Sequence, residues 1–162
     1  MSFEVASCPT EIVNAPLEVV WGLLTEPSRW GEFYDVRILS LAPPGPAVAG
    51  QVVLGESGPR IFRLRISFTF RRVDVERHEL AFDVRMPLGV TVREDLDCRP
   101  VDRDRCRVNY HCNFRFADGW RGRLTRLVLG RELVDGPRDS LDRLKRAAER
   151  RAAETGMRTG TT

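Results

Sequence analysis

Glu94 stands where a carboxylate is least at home. In "GVTVREDLDC" (Gly89–Cys98), Val90, Val92, Leu96 and Cys98 share its face when the stretch is read with the two-residue period of a strand. Burying an unpaired carboxylate is costly, so such a group gains a partner or holds its proton. A proton held up to neutral pH is what a general acid or base needs. The next segment, "CRVNYHCNFRF", alternates in the same way. A turn centred on Asp102 pairs Cys98 with Cys106, Leu96 with Val108, Glu94 with Tyr110, Val92 with Cys112 and Val90 with Phe114. Tyr110 then lies opposite Glu94, with about 5 Å between Cβ atoms. Such a pair can polarise a ketone or take an α-proton. Two other placements stay open for Glu94. One is a pocket mouth, hydrated or beside an arginine. The other is the outer face, if a bulge re-aims it.

The remaining chemistry-bearing residues offer less. Cys112 faces inward beside Tyr110, but a lone cysteine without a matched base reads as packing. His111 falls on the outer face and reads as a surface histidine, and His78 sits at a turn entrance. Cys8, Cys98, Cys106 and Cys112 show neither CxxC spacing nor a nearby histidine pair, which argues against a zinc site. No Ser/His/Asp order, phosphate-binding loop or dinucleotide glycine pattern is present. Neither metal nor cofactor is expected.

The elements that must position Glu94 are mostly strands. "IFRLRISFTFRRV" sets Phe62, Leu64, Ile66, Phe68 and Phe70 on one face and polar residues on the other. "HELAFDVRM" repeats this with Leu80, Phe82, Val84 and Met86. A turn near Val75 pairs Phe70 with Leu80, Phe68 with Phe82 and Ile66 with Val84. Residues 3–14 read as a strand broken at Pro9. Asn14 is placed to cap a helix that carries Val19, Val20, Leu23 and Leu24, and Pro27 opens a second short helix, about Ser28–Phe33. Val36–Leu41 and Gln51–Glu56 are short strands flanking a Pro/Gly loop.

The C-terminal part is helical, with a stripe of Leu127, Val134, Leu141 and Ala148, and Leu124, Gly130, Pro137 and Leu144 beside it. Gly136-Pro137 predicts two halves, Arg121–Asp135 and Pro137–Glu154, followed by a flexible tail. Trp120 and Arg121 would gate or cap the helix start.

The expected architecture is α+β: about seven antiparallel strands, strongly curved around a long kinked C-terminal helix, with two short helices after the first strand. Residues 1–154 are expected to form one domain and 155–162 the tail. The space between sheet and helix is a natural ligand cavity. Gly130 and Pro137 leave room there, or serve a packing kink.

Two stretches carry a family resemblance. "EIVNAPLEVVWGLLTEPSRWGEF" resembles the opening of START-like (SRPBCC, helix-grip) proteins, and "GPRDSLDRLKRAAERR" is similar to the end of their long helix. The nearest subset is the bacterial polyketide cyclase/dehydrase-like proteins. The resemblance implies a cavity for a hydrophobic, aromatic or polyketide-like molecule. It covers uses from cyclisation and dehydration to non-catalytic lipid or natural-product binding, so it does not by itself decide enzyme against carrier. It also places Trp30 and Tyr34 near the cavity wall, as ligand-stacking aromatics or as helix anchors. With the inward rows, the expected ligand-binding set is Trp30, Tyr34, Phe68, Phe82, Met86, Val92, Cys112, Phe114, Leu127, Gly130 and Val134, with Glu94 and Tyr110 catalytic.

Composition narrows the partners. The net charge of +3 is small, and the arginines are interspersed with apolar or acidic residues, which argues against a nucleic-acid surface. No apolar run is long enough to span a membrane, and the N-terminus lacks a secretory pattern, so membrane insertion is not expected and a cytoplasmic location is. No exposed apolar stripe that would mark an interaction module is evident. Monomer and homodimer both remain open.

Overall fold

A computed structural model describes residues 3–58 and 63–159, with side chains placed at all of these but 3, 121, 128–134 and 157–159. Eight strands are seen among them: β1 (Phe3–Ser7), β2 (Thr10–Val13), β3 (Arg37–Ala42), β4 (Val52–Ser57), β5 (Leu64–Asp74), β6 (Glu79–Arg85), β7 (Thr91–Pro100) and β8 (Cys106–Phe116). They form one antiparallel sheet in the order β1-β8-β7-β6-β5-β4-β3, with β2 also paired to β8. Helix α1 (Leu17–Leu24) and a 3-10 helix (Pro27–Glu32) follow β2. Helix α2 (Trp120–Thr159) closes the chain. This is the helix-grip arrangement, an open, strongly curved sheet with a C-terminal helix.

The alternating rows form the core. Phe68 and Phe70 of β5, Phe82 and Val84 of β6, Val92 and Leu96 of β7, and Val108, Cys112 and Phe114 of β8 are all buried. Val20, Leu23 and Leu24 of α1 and Leu141, Leu144 and Ala148 of α2 belong to the same cluster. Polar outer residues leave one face of the sheet wet. Phe62, at the head of the expected row, lies outside the described residues.

Both hairpin registers differ from expectation. In β5–β6, Phe70 faces Phe82 and Phe68 faces Val84, and a shift between Phe70 and Arg72 brings Val73 opposite Leu80. The consecutive arginines of "FRRV" are where strict alternation fails, and one extra residue there is a bulge. In β7–β8, Cys98 faces Val108 and Leu96 faces Tyr110. The turn centres one residue later, on Arg103, and Asp102 braces it. Its Oδ1 accepts from the Asp104 amide at 3.0 Å and its Oδ2 from Arg105 Nε at 2.8 Å. The β7–β8 register moves by an even step, so the inward row survives.

Three helix expectations are corrected. Asn14 does not cap α1: Pro16 holds that position, and the Asn14 amide donates to Glu149 Oε1 at 3.0 Å. The second helix begins at Pro27 and is of the tighter 3-10 type. Helix α2 runs unbroken through Pro137 and on to Thr159, past the expected end at Glu154. A seven-residue stripe drifts by about 20° per heptad on a continuous helix. Over the two heptads from Leu141 back to Leu127 that drift is only about 40°. Leu141 and Ala148 reach the core, Leu127 is 82% exposed, and Gly122 and Thr125 are the buried residues at that end of the helix.

Candidate active site

Strand pairing places Glu94 between two apolar neighbours. Phe82 of β6 faces it on one side and Cys112 of β8 on the other. Both neighbours are buried, and Glu94 itself is only 7% exposed. The bulge at Arg71 leaves β7 unshifted, so Glu94 keeps its inward direction.

Tyr110 is not opposite Glu94 but one diagonal step along β8, and it still reaches the carboxylate. Its hydroxyl donates to Glu94 Oε2 in a short hydrogen bond. A third group joins them. Tyr34, just beyond the 3-10 helix, places its hydroxyl 3.0 Å from the Tyr110 hydroxyl and 3.4 Å from Glu94 Oε2. The sequence offers Tyr34 as a stacking aromatic or a helix anchor, and the structure gives its hydroxyl a place in the polar group. Tyr34 and Tyr110 stand as the only tyrosines in the chain.

The electrostatics follow from burial. Loss of water pushes the Glu94 carboxyl up to about 7, against the opposing hydrogen bonds from Tyr110 and then Tyr34. Burial, reinforced by the nearby carboxylate, holds both phenols well above their ordinary range, so both remain donors at neutral pH. Both hydrogen bonds to the carboxylate end on Oε2. Oε1 accepts none among the described residues, which leaves one oxygen for another partner.

Arg71 holds the backbone of Glu94 from the wet side of the sheet. Its Nη2 donates to the Glu94 carbonyl oxygen at 3.3 Å and lies 3.3 Å from Asp95 Oδ1, while Nε lies 2.8 Å from Asp83 Oδ1. The sequence reading missed this residue, although the break in alternation at Arg71-Arg72 marks it.

The other expected site residues divide by role. Trp30 is an anchor: its Nε1 donates to the Leu24 carbonyl at 3.0 Å, and its ring meets those of Phe33, Tyr34, Phe68, Phe70 and Phe82. Those contacts fix the 3-10 helix, and through it Tyr34, over the sheet. Phe68, Phe82, Val92, Cys112 and Phe114 are inward and buried, and Met86 is partly buried against the same cluster. Burial pushes the Cys112 thiol far up, which fits packing rather than nucleophilic attack. His111, opposite Asp95, is exposed. Leu127 faces away from the core and does not line the site, because Gly122 and Thr125 take the inward side of the helix there. The side chains at Gly130 and Val134 lie outside the described residues.

Above the sheet, Gln51 organises the Pro/Gly loop between β3 and β4. It is fully buried, and its Nε2 donates to the Pro43 carbonyl at 2.7 Å and the Gly45 carbonyl at 3.2 Å. The Ala47 amide then ties this loop to Thr25 at the end of α1. No group of His, Cys, Asp and Glu side chains among the described residues is arranged to hold a metal ion.

Solved structures share this fold. A Thalictrum flavum norcoclaurine synthase point mutant in complex with a transition state analogue aligns with a TM-score of 0.68 at 15% identity, over 96% of this chain and 98% of that one. The ZhuI aromatase/cyclase of a Streptomyces species aligns with a TM-score of 0.68 at 18% identity, over 92% of this chain and 96% of that one. A conserved protein from Geobacillus kaustophilus aligns with a TM-score of 0.66 at 12% identity, over 90% and 96% of the two chains. Identities this low establish the fold alone. No match is found among curated proteins. The family described as polyketide cyclase/dehydrase and lipid transport matches residues 9–149, which supports a hydrophobic-ligand-binding or cyclase role. On that match, the chain belongs to the polyketide cyclase/dehydrase and lipid transport family.

Proposed function

We propose that the protein binds a hydrophobic, aromatic or polyketide-like molecule between sheet and α2, and that Glu94 exchanges a proton with it. The observation that carries this reading is a buried carboxyl, shifted to about 7, with two phenols on one oxygen and no hydrogen bond on the other among the described residues. At neutral pH such a group is present in both protonation states and can act as acid or base.

The chemistry follows for a ligand with adjacent ketones. Glu94 carboxylate takes a proton from the carbon between two carbonyls, and the electron pair moves onto a carbonyl oxygen to give an enolate. The enolate carbon attacks a second carbonyl of the same chain, forming a carbon–carbon bond and an alkoxide. The proton on Glu94 then passes to that alkoxide, and the resulting hydroxyl can leave as water after one further proton exchange. Tyr110 steadies the carboxylate when it is charged, and Tyr34 steadies Tyr110.

One observation favours a second reading. Tyr34 and Tyr110 already occupy Glu94 Oε2, so the group can serve as a fixed polar mark in an apolar wall. A carrier of lipids or natural products would use it for orientation alone. Native mass spectrometry of the purified protein, followed by soaking with aromatic natural products, identifies the ligand class. Glu94→Gln then separates the readings: ligand affinity is expected to stay within a few-fold while turnover is lost. Normal turnover by that variant would end the acid/base assignment, and absence of any turnover by the unaltered protein would favour the carrier.

A further inference from the structure

We propose that the first turns of α2 form a docking surface for an anionic lipid bilayer, lying in its interface without crossing it. Trp120, Leu124 and Leu127 follow at spacings of four and three residues, so they share one side of the helix. They are 70%, 51% and 82% exposed. This apolar stripe is one the sequence reading did not foresee, because Leu127 was expected to face the sheet.

Leu88 is also exposed, at 64%, on a turn that packs beside α2. Ala117 fixes that arrangement. A Cβ on Gly89 would lie 2.9 Å from the Ala117 Cβ, and one on Gly122 would lie 1.7 Å from the Ala117 carbonyl oxygen. Glycine at both positions lets the turn and the helix close on Ala117 from two sides. Leu88 itself has a φ of 64°, a left-handed conformation that is unfavourable for leucine. A strained backbone that holds a large apolar side chain in water points to a surface used for contact.

Charge selects the occupant. From Trp120 to Arg131 the chain carries Arg121, Arg123, Arg126 and Arg131 and no acid, with Asp118 just before and Glu132 just after. Arg123 and Arg126 are exposed. Tryptophan and leucine on one face with arginines alongside is the composition of a helix that settles among anionic headgroups. A second copy docked on the same face would set these arginines against one another. No helix among the described residues is long and apolar enough to cross a membrane, which fits a segment that lies on one. Docking here does not depend on whether Glu94 is catalytic.

The full chain supplies its own reporter, since Trp21 and Trp30 are buried and Trp120 is exposed. It is mixed with vesicles of phosphatidylcholine alone and of phosphatidylcholine with phosphatidylglycerol. Co-sedimentation and a blue shift of tryptophan emission are expected with the anionic vesicles. Binding should be weaker by about tenfold or more with neutral vesicles or at high salt. A Leu124→Glu/Leu127→Glu variant, with folding checked by circular dichroism, should lose binding by about tenfold or more. Failure to bind anionic vesicles, or unchanged binding by that variant, overturns the proposal. So does a dimer, seen by light scattering, that the same variant dissociates.

Discussion

Glu94 and Tyr110 meet along a diagonal of the sheet. Glu94 lies across from Cys112 and Tyr110 across from Leu96, yet the Tyr110 hydroxyl bonds to Glu94 Oε2. A direct pairing would have aimed two polar groups at each other and nowhere else. The diagonal leaves room for Tyr34 on the same oxygen and leaves Oε1 without a hydrogen bond among the described residues.

Burial of Glu94 makes stability depend on pH in a defined direction. The folded carboxyl keeps its proton up to about 7, whereas its ordinary value is 4.5. Between those values the unfolded state binds fewer protons, so stability falls as pH rises. The contribution is complete below 4.5 and is lost as pH passes about 7. Its size is roughly 3 kcal/mol. Urea unfolding of the protein and of Glu94→Gln should therefore diverge in favour of the variant by about that amount between acid and about pH 8. Parallel pH profiles would contradict the assignment.

The two phenols should act unequally on Glu94. The Tyr110 hydrogen bond opposes the upward shift more than the Tyr34 bond does. Tyr110→Phe should raise the carboxyl further, and Tyr34→Phe should raise it less. Each removes a hydroxyl from a polar cluster, at a cost of about 1–3 kcal/mol. Carbon-13 NMR of labelled glutamate, with thermal unfolding alongside, measures both effects.

Trp30 should behave as an anchor. Trp30→Phe keeps aromatic bulk but leaves the Leu24 carbonyl without its indole donor, a loss of about 1–3 kcal/mol. Trp30→Ala also opens a cavity among five rings and should cost about 3–5 kcal/mol. Once a ligand is known, Trp30→Phe should bind it within a few-fold of the unaltered protein. A large loss of affinity with stability intact would restore the stacking role.

Arg71 should influence the site from the opposite face. It bridges Asp83 and Asp95 and holds the Glu94 carbonyl. Arg71→Gln leaves the Asp95 charge uncompensated, and Asp95 already pushes Glu94 upward. The Glu94 midpoint should rise, whereas Arg71→Lys should preserve most of the balance. The same NMR titration reads both variants, and an unmoved midpoint in Arg71→Gln would show that Arg71 has only a surface role.

The fold was legible because period-two alternation survives errors of register. Cys98 pairs with Val108 where a turn centred one residue earlier would give Cys106, yet both choices leave Glu94, Leu96 and Tyr110 inward. The turn itself was less legible, because an aspartate folding back on its own backbone decides it. Leu127 was misplaced because the inward side at the start of α2 carries Gly122 and Thr125, which no apolar stripe marks. Tyr34 was visible as an aromatic near the wall. Its hydroxyl partner was not, because the contact joins residues 60 and 76 positions apart in sequence. The apolar surface at Leu88 rests on a left-handed backbone, which residue type gives no reason to expect.

The most direct test of the central claim is a site-specific titration of the Glu94 carboxyl by carbon-13 NMR, assigned by comparison with Glu94→Gln. A midpoint near 7, moving upward in Tyr110→Phe, is the expected result. A midpoint near the ordinary value of 4.5, indifferent to Tyr110, would show a hydrated carboxylate and remove the basis for acid/base chemistry at this site.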